Sequence, residues 1–216
     1  YHASEWFSLQ LYRATEYEEV VLYYTTEADV EIPCYFNDFV DCEAEWYHEA
    51  VDFMVANGLM NGMGGNKFGP NTALSRAMVV TVLYRLMETP EVTEPSTFTD
   101  VPADAWYADA VAWAQDEGIV LGVILTEFAP DQAVTREQLA TILWRYEGCP
   151  EEEADLSSFG DAETISPYAQ SAMNMVVARG IVKGDGENLN PLDQATRAEF
   201  ACMMMRYLEG EYTCKE

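Results

Sequence analysis

The chain has 216 residues, 49% of them apolar, enough for one compact domain or two small ones with a real core. It carries 38 acidic against 11 basic residues, a net charge of −27. Such a surface repels nucleic acid and anionic membranes, because phosphate binding needs clustered Lys and Arg, and no apolar run reaches the roughly 18 residues of a membrane-spanning helix.

The chain opens at Tyr1 without an initiator Met and reads as a processed or excised piece of something longer. Residues 1–33 stand outside the pattern that fills the rest. Within them Val20-Val-Leu-Tyr-Tyr-Thr-Thr26 is rich in strand formers and predicts a strand, belonging to an upstream region or packed on the remainder of the chain.

From residue 34 onward three landmarks recur in one order. A Phe-x-Asp is read at Phe36-Asn37-Asp38, Phe98-Thr99-Asp100 and Phe159-Gly160-Asp161. An aromatic precedes a glycine by twelve residues at Trp46/Gly58, Trp106/Gly118 and Tyr168/Gly180. A proline precedes an arginine by six at Pro70/Arg76, Pro130/Arg136 and Pro191/Arg197. The units fall at 34–90, 91–150 and 151–216, the last including a tail.

Each unit begins with an amphipathic helix. The stripe Trp46, Ala50, Phe53, Met54 recurs as Trp106, Ala110, Trp113, Ala114 and as Tyr168, Ala172, Met175, Val176. Gly58, Gly118 and Gly180 are its stops. A Gly/Asn/Asp-rich loop comes next, Asn61 to Pro70 in the first copy, and then a second helix with one apolar face. Ser75, Thr135 and Thr196 are its N-caps. Thr135 with Gln138, and Thr196 with Glu199, predict capping boxes; Met78 breaks the box in the first copy. The joins Glu88–Thr97 and Glu147–Ser158 read as solvated acidic linkers. A helix pair this small cannot bury its own stripe, so the three copies are expected to pack together.

Cations are scarce, so their placement informs. Arg76, Arg136 and Arg197 come directly after the N-caps, and Arg85, Arg145 and Arg206 lie near the same helices' ends; together they are six of the eleven. The second column reads as structural, complementing the helix dipole and bonding free carbonyls. The first opposes the dipole, so a partner is required. Either an internal carboxylate (Asp38, Asp100, Asp161) supplies it or an external anion binds beside the free N–H groups of the helix start. The aromatic column Trp46, Trp106, Tyr168 is open in the same way, between core packing and a platform for a sugar ring.

The histidines, His2 and His48, lie in no nucleophile–base arrangement, and no phosphate loop or Gly-x-Ser-x-Gly appears, so catalysis is not expected. The cysteines, Cys34, Cys42, Cys149, Cys202 and Cys214, form no C-x-x-C pair, which points away from zinc. Their odd number leaves at least one unpaired. A Cys34–Cys42 bridge and free, partly buried thiols are the alternatives. The run Glu151–Asp155 could hold Ca2+ weakly.

As a set these residues resemble three consecutive S-layer homology domains, over residues 35–209. The matching features are Phe98-Thr-Asp-Val101, Trp106 to Val111, the glycine pairs Gly58/Gly62, Gly118/Gly122 and Gly180/Gly184, Phe-x-Pro, and Thr196-Arg-Ala-Glu-Phe200. The resemblance implies a mostly α fold in which three helix-loop-helix repeats form a pseudo-threefold spindle around a central three-helix bundle, after a short N-terminal β-like segment. It implies non-covalent anchoring to secondary cell-wall polysaccharide at the bacterial surface, no enzyme activity and no cofactor. Grooves between copies would take a sugar carrying an anionic pyruvyl ketal. Arg76, Arg136 and Arg197 would bond its carboxylate, Asp38, Asp100 and Asp161 its hydroxyls, and Trp46, Trp106 and Tyr168 would stack on it. Backbone at Gly62, Gly122 and Gly184 would complete each pocket. The alternative reading, from the acidity of the chain, is a structural module whose surface binds Ca2+ and drives assembly with other surface-layer proteins. The second copy departs from the family in its loop, Gly122-Val-Ile-Leu-Thr-Glu-Phe128, which marks a degenerate groove. Arg136→Ala is therefore expected to weaken binding less than Arg197→Ala.

Overall fold

A computed structural model of the chain describes residues 8–12, 17–21 and 34–213. Strands β1 (Ser8–Tyr12) and β2 (Tyr17–Val21) pair antiparallel, with Ser8 opposite Val21 and Tyr12 opposite Tyr17. The expected strand at Val20–Thr26 therefore overlaps the end of β2, and its remainder lies outside the described residues.

Six helices come after them, two per repeat: α1 (His48–Ala56), α2 (Arg76–Leu86), α3 (Ala108–Asp116), α4 (Arg136–Tyr146), α5 (Gln170–Ala178) and α6 (Arg197–Thr213). This is the mostly α, three-repeat architecture read from the periodicity. The caps are those expected. Ser75 accepts from the Met78 N–H alone, whereas Thr135/Gln138 and Thr196/Glu199 close reciprocal boxes. Gly58, in the left-handed region at φ 66°, ends α1, and the Leu59 N–H returns to the Met54 carbonyl at 2.9 Å.

The repeats close on one another cyclically. Leu74 N–H donates to the Ala195 carbonyl (2.8 Å), Ala195 N–H to Val134 (3.0 Å), and Val134 N–H back to Leu74 (2.9 Å). All three residues are fully buried. Short bridges flank this triangle, Ala73 with Thr196, Ser75 with Ala133 and Thr135 with Gln194. The helix pairings run around the same ring: α2 packs on α3, α4 on α5, and α6 on α1. Each second helix thus covers the first helix of the next copy, which is how a two-helix unit too small for its own core acquires one. A single buried cluster runs through all three repeats, with Phe68, Phe128, Phe200 and Tyr207 among its largest members.

The joins between repeats hold no buried residue, in keeping with their reading as solvated linkers, but they are also pinned at defined points. Tyr84 Oη donates to the Pro90 carbonyl and Trp144 Nε1 to that of Pro150. In the second join Arg179 bonds Glu147 and Glu152, at 2.8 and 2.7 Å, and Tyr207 donates to Glu147. Composition shows the acidity of these segments but not the cation and aromatics waiting on the neighbouring helices. Burial opposes the charge of Arg179, but its two carboxylate partners outweigh that and raise its pKa.

No described helix is long and apolar enough to cross a membrane. Cys34, Cys42, Cys149 and Cys202 are free thiols, so the Cys34–Cys42 bridge is not formed; Cys214 lies outside the described residues.

Candidate functional site

The first arginine column reaches forward into the next repeat. Arg76 donates Nε to the Phe128 carbonyl and Nη2 to Leu121, both at 2.7 Å. Arg197 donates in the same way to Phe68 (2.8 Å) and Asn61 (2.7 Å), closing the ring from third repeat to first. Arg136 donates Nε to Leu189 (2.9 Å) but gives Nη1 to Glu199 Oε1 at 3.1 Å. The guanidinium of Arg76 sits 4.6 Å from the Phe128 ring centre and that of Arg197 4.7 Å from Phe68. In the third repeat Leu189 stands in this place, so Arg136 has no ring beneath it and takes a carboxylate instead.

Two expectations about this column are corrected. Its partner is backbone carbonyl of the neighbouring loop, not the Asp column. Nor are the helix starts free: Arg76 N–H and Ala77 N–H donate to Gln132 and Pro130, and the same pair of bonds recurs at Arg136/Glu137 and Arg197/Ala198. The next repeat's loop thus satisfies the donors that would otherwise bind an anion. Both facts depend on the cyclic packing, which no local pattern encodes.

The aspartates fasten the loop from its other side. Asp100 accepts from Phe128 and Ala129 N–H at 2.8 and 2.7 Å, and Asp161 from Leu189 and Asn190 N–H at 2.8 and 2.7 Å. In the first repeat Asp41 does this, for Phe68 and Gly69 at 2.8 and 2.9 Å. Asp38, the residue chosen from the sequence, is exposed and takes no such part. Two Phe-x-Asp tripeptides stand three residues apart there, Phe36–Asp38 and Phe39–Asp41, so the motif alone does not fix the register. The loop spacing was the overlooked signal: Asp to bonded loop residue is 27, 28 and 28 positions in the three copies. The glycines confirm the register. A Cβ on Gly62 would meet the Phe39 ring at 2.8 Å, one on Gly122 the Phe98 ring at 2.8 Å, and one on Gly184 the Phe159 ring at 3.1 Å. These positions need glycine because the loop closes onto the motif phenylalanine.

The aromatic column is exposed. Trp46, Trp106 and Tyr168 are 60, 64 and 52% accessible, which rules out the core reading. Each precedes its helix, where the helical stripe no longer holds, and the next residue turns inward instead: Tyr47 and Ala169 are buried. Trp46 stands edge-on to Tyr47 and Trp106 to Tyr107. The Trp46 carbonyl touches Cys202 of α6, so Trp46 borders the third-to-first groove. Tyr168 borders the second-to-third groove and donates its hydroxyl to Glu137 at 2.8 Å. Burial and that bond hold the Tyr168 hydroxyl up at about 12. Glu137, itself buried, also accepts from Ser166 N–H and Oγ, a role the sequence did not suggest.

Each groove therefore joins the arginine of one repeat to the Gly loop, Asp and exposed aromatic of the next. Burial lowers the Arg76 pKa, with Arg145 adding to the effect and Asp100 opposing it. Burial likewise pulls Arg197 down to about 10, with Asp41 opposing and Arg85 assisting, so both stay cationic at neutral pH. The second arginine column is thus close to the first, while its own bonds are structural. Arg85 donates to Leu59 (3.0 Å) and Arg206 to Ile181 (3.3 Å), the residues after the glycine stops. The loop facing Arg76 is the apolar one, and Leu121, Val123, Ile124 and Leu125 are exposed there. The loop that departs from the family pattern thus belongs to the groove of Arg76, not that of Arg136.

This threefold, cyclically closed set of helix pairs with a recurrent groove defines a surface-layer type of repeat module. The chain belongs to the S-layer homology family, whose domain model matches residues 35–77, 97–140 and 158–201. It is 40% identical over 75% of its length to a surface-layer 125 kDa protein of Lysinibacillus sphaericus, covering 14% of that protein. It is 26% identical over 76% of its length to an S-layer protein of Bacillus anthracis, covering 20% of it. An amylopullulanase of Thermoanaerobacterium thermosulfurigenes is 29% identical over 81% of the chain, which covers 10% of that enzyme. The chain thus spans a tenth to a fifth of the length of these relatives. The family is one of bacterial cell-surface proteins and anchoring modules.

Proposed function

We propose that the chain is a non-catalytic module that holds its parent protein to bacterial cell-wall polysaccharide, through an anionic, pyruvylated sugar bound in the grooves between repeats. The observation that carries this reading is the recurrence, three times around the ring, of an arginine from one copy bonded to the Gly loop of the next, a copy that also presents an exposed aromatic. An exposed Trp on an otherwise acidic surface gives a sugar ring an apolar face to stack on, and a nearby guanidinium gives its carboxylate a cation.

The grooves are not equivalent. Among the described residues, Nη1 of Arg76 and of Arg197 has no protein partner, whereas Glu199 occupies that of Arg136. The loop facing Arg197 carries Lys67 and that facing Arg136 carries Lys183, while the loop facing Arg76 carries no cation. The groove of Arg197, Trp46, Gly62 and Asp41 combines a free donor, a Trp and an added cation, and it is the principal site in this reading.

The test is sedimentation with cell-wall sacculi before and after extraction of the non-peptidoglycan polysaccharide. Binding should vanish with the polysaccharide and fall sharply in Trp46→Ala, an exposed position whose loss leaves the fold intact. Failure to bind any sacculus preparation would sink the anchoring reading in favour of Ca2+-dependent assembly with other surface-layer proteins.

A further inference from the structure

Among the described residues, one group brings three metal-ligating side chains together, and it lies outside the arginine and loop machinery: Cys34, His48 and Asp52. Cys34 Sγ is 3.1 Å from His48 Nε2, and Asp52 Oδ2 is 3.2 Å from the same nitrogen. All three donor atoms lie within 4.8 Å of one another. We propose that these residues bind a zinc-class divalent cation through one thiolate, one imidazole and one carboxylate, with water in the fourth position.

The geometry suits a tetrahedral ion. With Zn–S of about 2.3 Å and Zn–N or Zn–O of about 2.0–2.2 Å, tetrahedral edges come to roughly 3.4–3.6 Å. The two separations to His48 Nε2 are shorter by only a few tenths, so a small outward shift of the imidazole from its two neighbours admits the metal. A nucleophilic Cys–His–Asp triad is the competing arrangement, but it needs thiol and carboxylate on opposite ring nitrogens. Here both converge on Nε2, as ligands facing one ion do. Sulfur, nitrogen and a single carboxylate select zinc-like metals over Ca2+ or Mg2+, which take oxygen shells.

The donors are held from behind. The His48 ring stacks on Phe36 with centroids 4.2 Å apart. Asp52 uses its other oxygen to accept the Phe36 N–H at 2.7 Å, and Asn37 Nδ2 donates to Cys34 Sγ at 3.1 Å. Such outer bonds fix ligand orientation. Repeat packing does not demand these residues: Ala108 and Gln170 occupy the place of His48 in the other copies, and Ala112 and Asn174 that of Asp52. Cys34 is exposed, giving an ion access, and the −27 charge concentrates dications around the chain. Spacings of fourteen and four residues escape a C-x-x-C search. A metal here would staple residue 34 to α1 and close a loop that contains Asp41, the residue fastening the loop of the Arg197 groove.

The test is Co2+ titration of the reduced, metal-stripped full chain, followed by Zn2+ competition. The expected result is one equivalent with a thiolate-to-cobalt charge-transfer band and tetrahedral visible bands, displaced by Zn2+ and unaffected by excess Ca2+. Cys34→Ser should abolish the charge-transfer band. His48→Gln and Asp52→Asn should each weaken Zn2+ binding about ten- to a hundredfold, with circular dichroism unchanged. A charge-transfer band that survives in Cys34→Ser would assign the metal to another cysteine and overturn the proposal. So would Co2+ uptake that lacks the band or is displaced by Ca2+, since that is binding to surface carboxylates.

Discussion

Arg197 in the third repeat and Phe68 in the first are 129 positions apart, yet the arginine's Nε donates to the phenylalanine's carbonyl at 2.8 Å and its guanidinium covers the same residue's ring. The contact joins the ends of the repeat array, and Arg76 and Arg136 make its equivalents across the two internal junctions. Each arginine of this column is therefore a clasp of the fold, which separates the variants useful for testing binding from those that test closure.

Arg197→Ala is expected to lower stability by about 2–4 kcal/mol, because it leaves two inward carbonyls without their charged donor. Arg197→Lys should recover part of this, since an ammonium keeps the charge but not the planar fork that serves both carbonyls and lies on Phe68. Urea denaturation of the three proteins measures it. A loss below about 1 kcal/mol for the alanine variant would mean that the clasp contributes little.

The corrected aspartate register gives a sharp comparison. Asp41→Asn removes a carboxylate that accepts two backbone N–H groups and should cost about 1–3 kcal/mol. Asp38→Asn, at an exposed position, should stay within about 0.5 kcal/mol of the parent. The reverse order in denaturant midpoints would restore the register read from the first Phe-x-Asp.

Binding and stability should come apart at the aromatics. Trp46→Ala and Trp106→Ala remove exposed rings and are expected to change stability little. If each ring stacks on a sugar at about 1–1.5 kcal/mol, its loss weakens polysaccharide binding about tenfold. Calorimetry with purified polysaccharide should show the larger effect at Trp46. Arg136→Ala should weaken binding less than Arg197→Ala. The reason is that Glu199 already holds Arg136, not that its own repeat has a degenerate loop.

The range of each interaction decided whether the sequence disclosed or concealed it. Helices, caps and glycine stops are set within four residues, so Thr135/Gln138 and Gly58 were legible from spacing alone. The partners of Arg76, Arg136 and Arg197 lie 45 to 136 residues away and exist only once the ring has closed. The aromatic column lay in between. Its period was visible, but its phase misled, because Trp46 and Tyr168 sit in tight turns before the helix and rotate off the buried stripe.

Acid stability should carry the mark of Asp185, in the loop of the third repeat. Bonds from the Asn190 side chain and from Glu187 and Asn188 N–H pull its carboxyl down to about 2. A carboxyl depressed in the folded state stabilises it above the unfolded value of about 3.9, and that contribution fades as pH falls toward about 2. The stability difference between the parent and Asp185→Asn should therefore be constant from pH 5 to 7 and shrink below about pH 4. A difference independent of pH would remove Asp185 from the acid limb.

Glu137 and Tyr168 stand where the other two grooves have Ala and Trp, since Ala77 and Ala198 occupy the place of Glu137. The buried carboxylate accepts the Tyr168 hydroxyl together with Ser166 N–H and Oγ. The smaller ring is thus fixed from behind by an acid that the Trp-bearing grooves lack. Glu137→Ala alone strands these donors and should cost about 1–3 kcal/mol. Tyr168→Trp alone sets an indole against a buried acid that has lost its hydroxyl donor, and should also destabilise. The double variant recreates the pairing of the other grooves, so its cost should fall short of the sum by about 0.5–3 kcal/mol. Strict additivity in a urea-denaturation cycle would show the two substitutions to be independent; a favourable coupling would identify them as one compensated change.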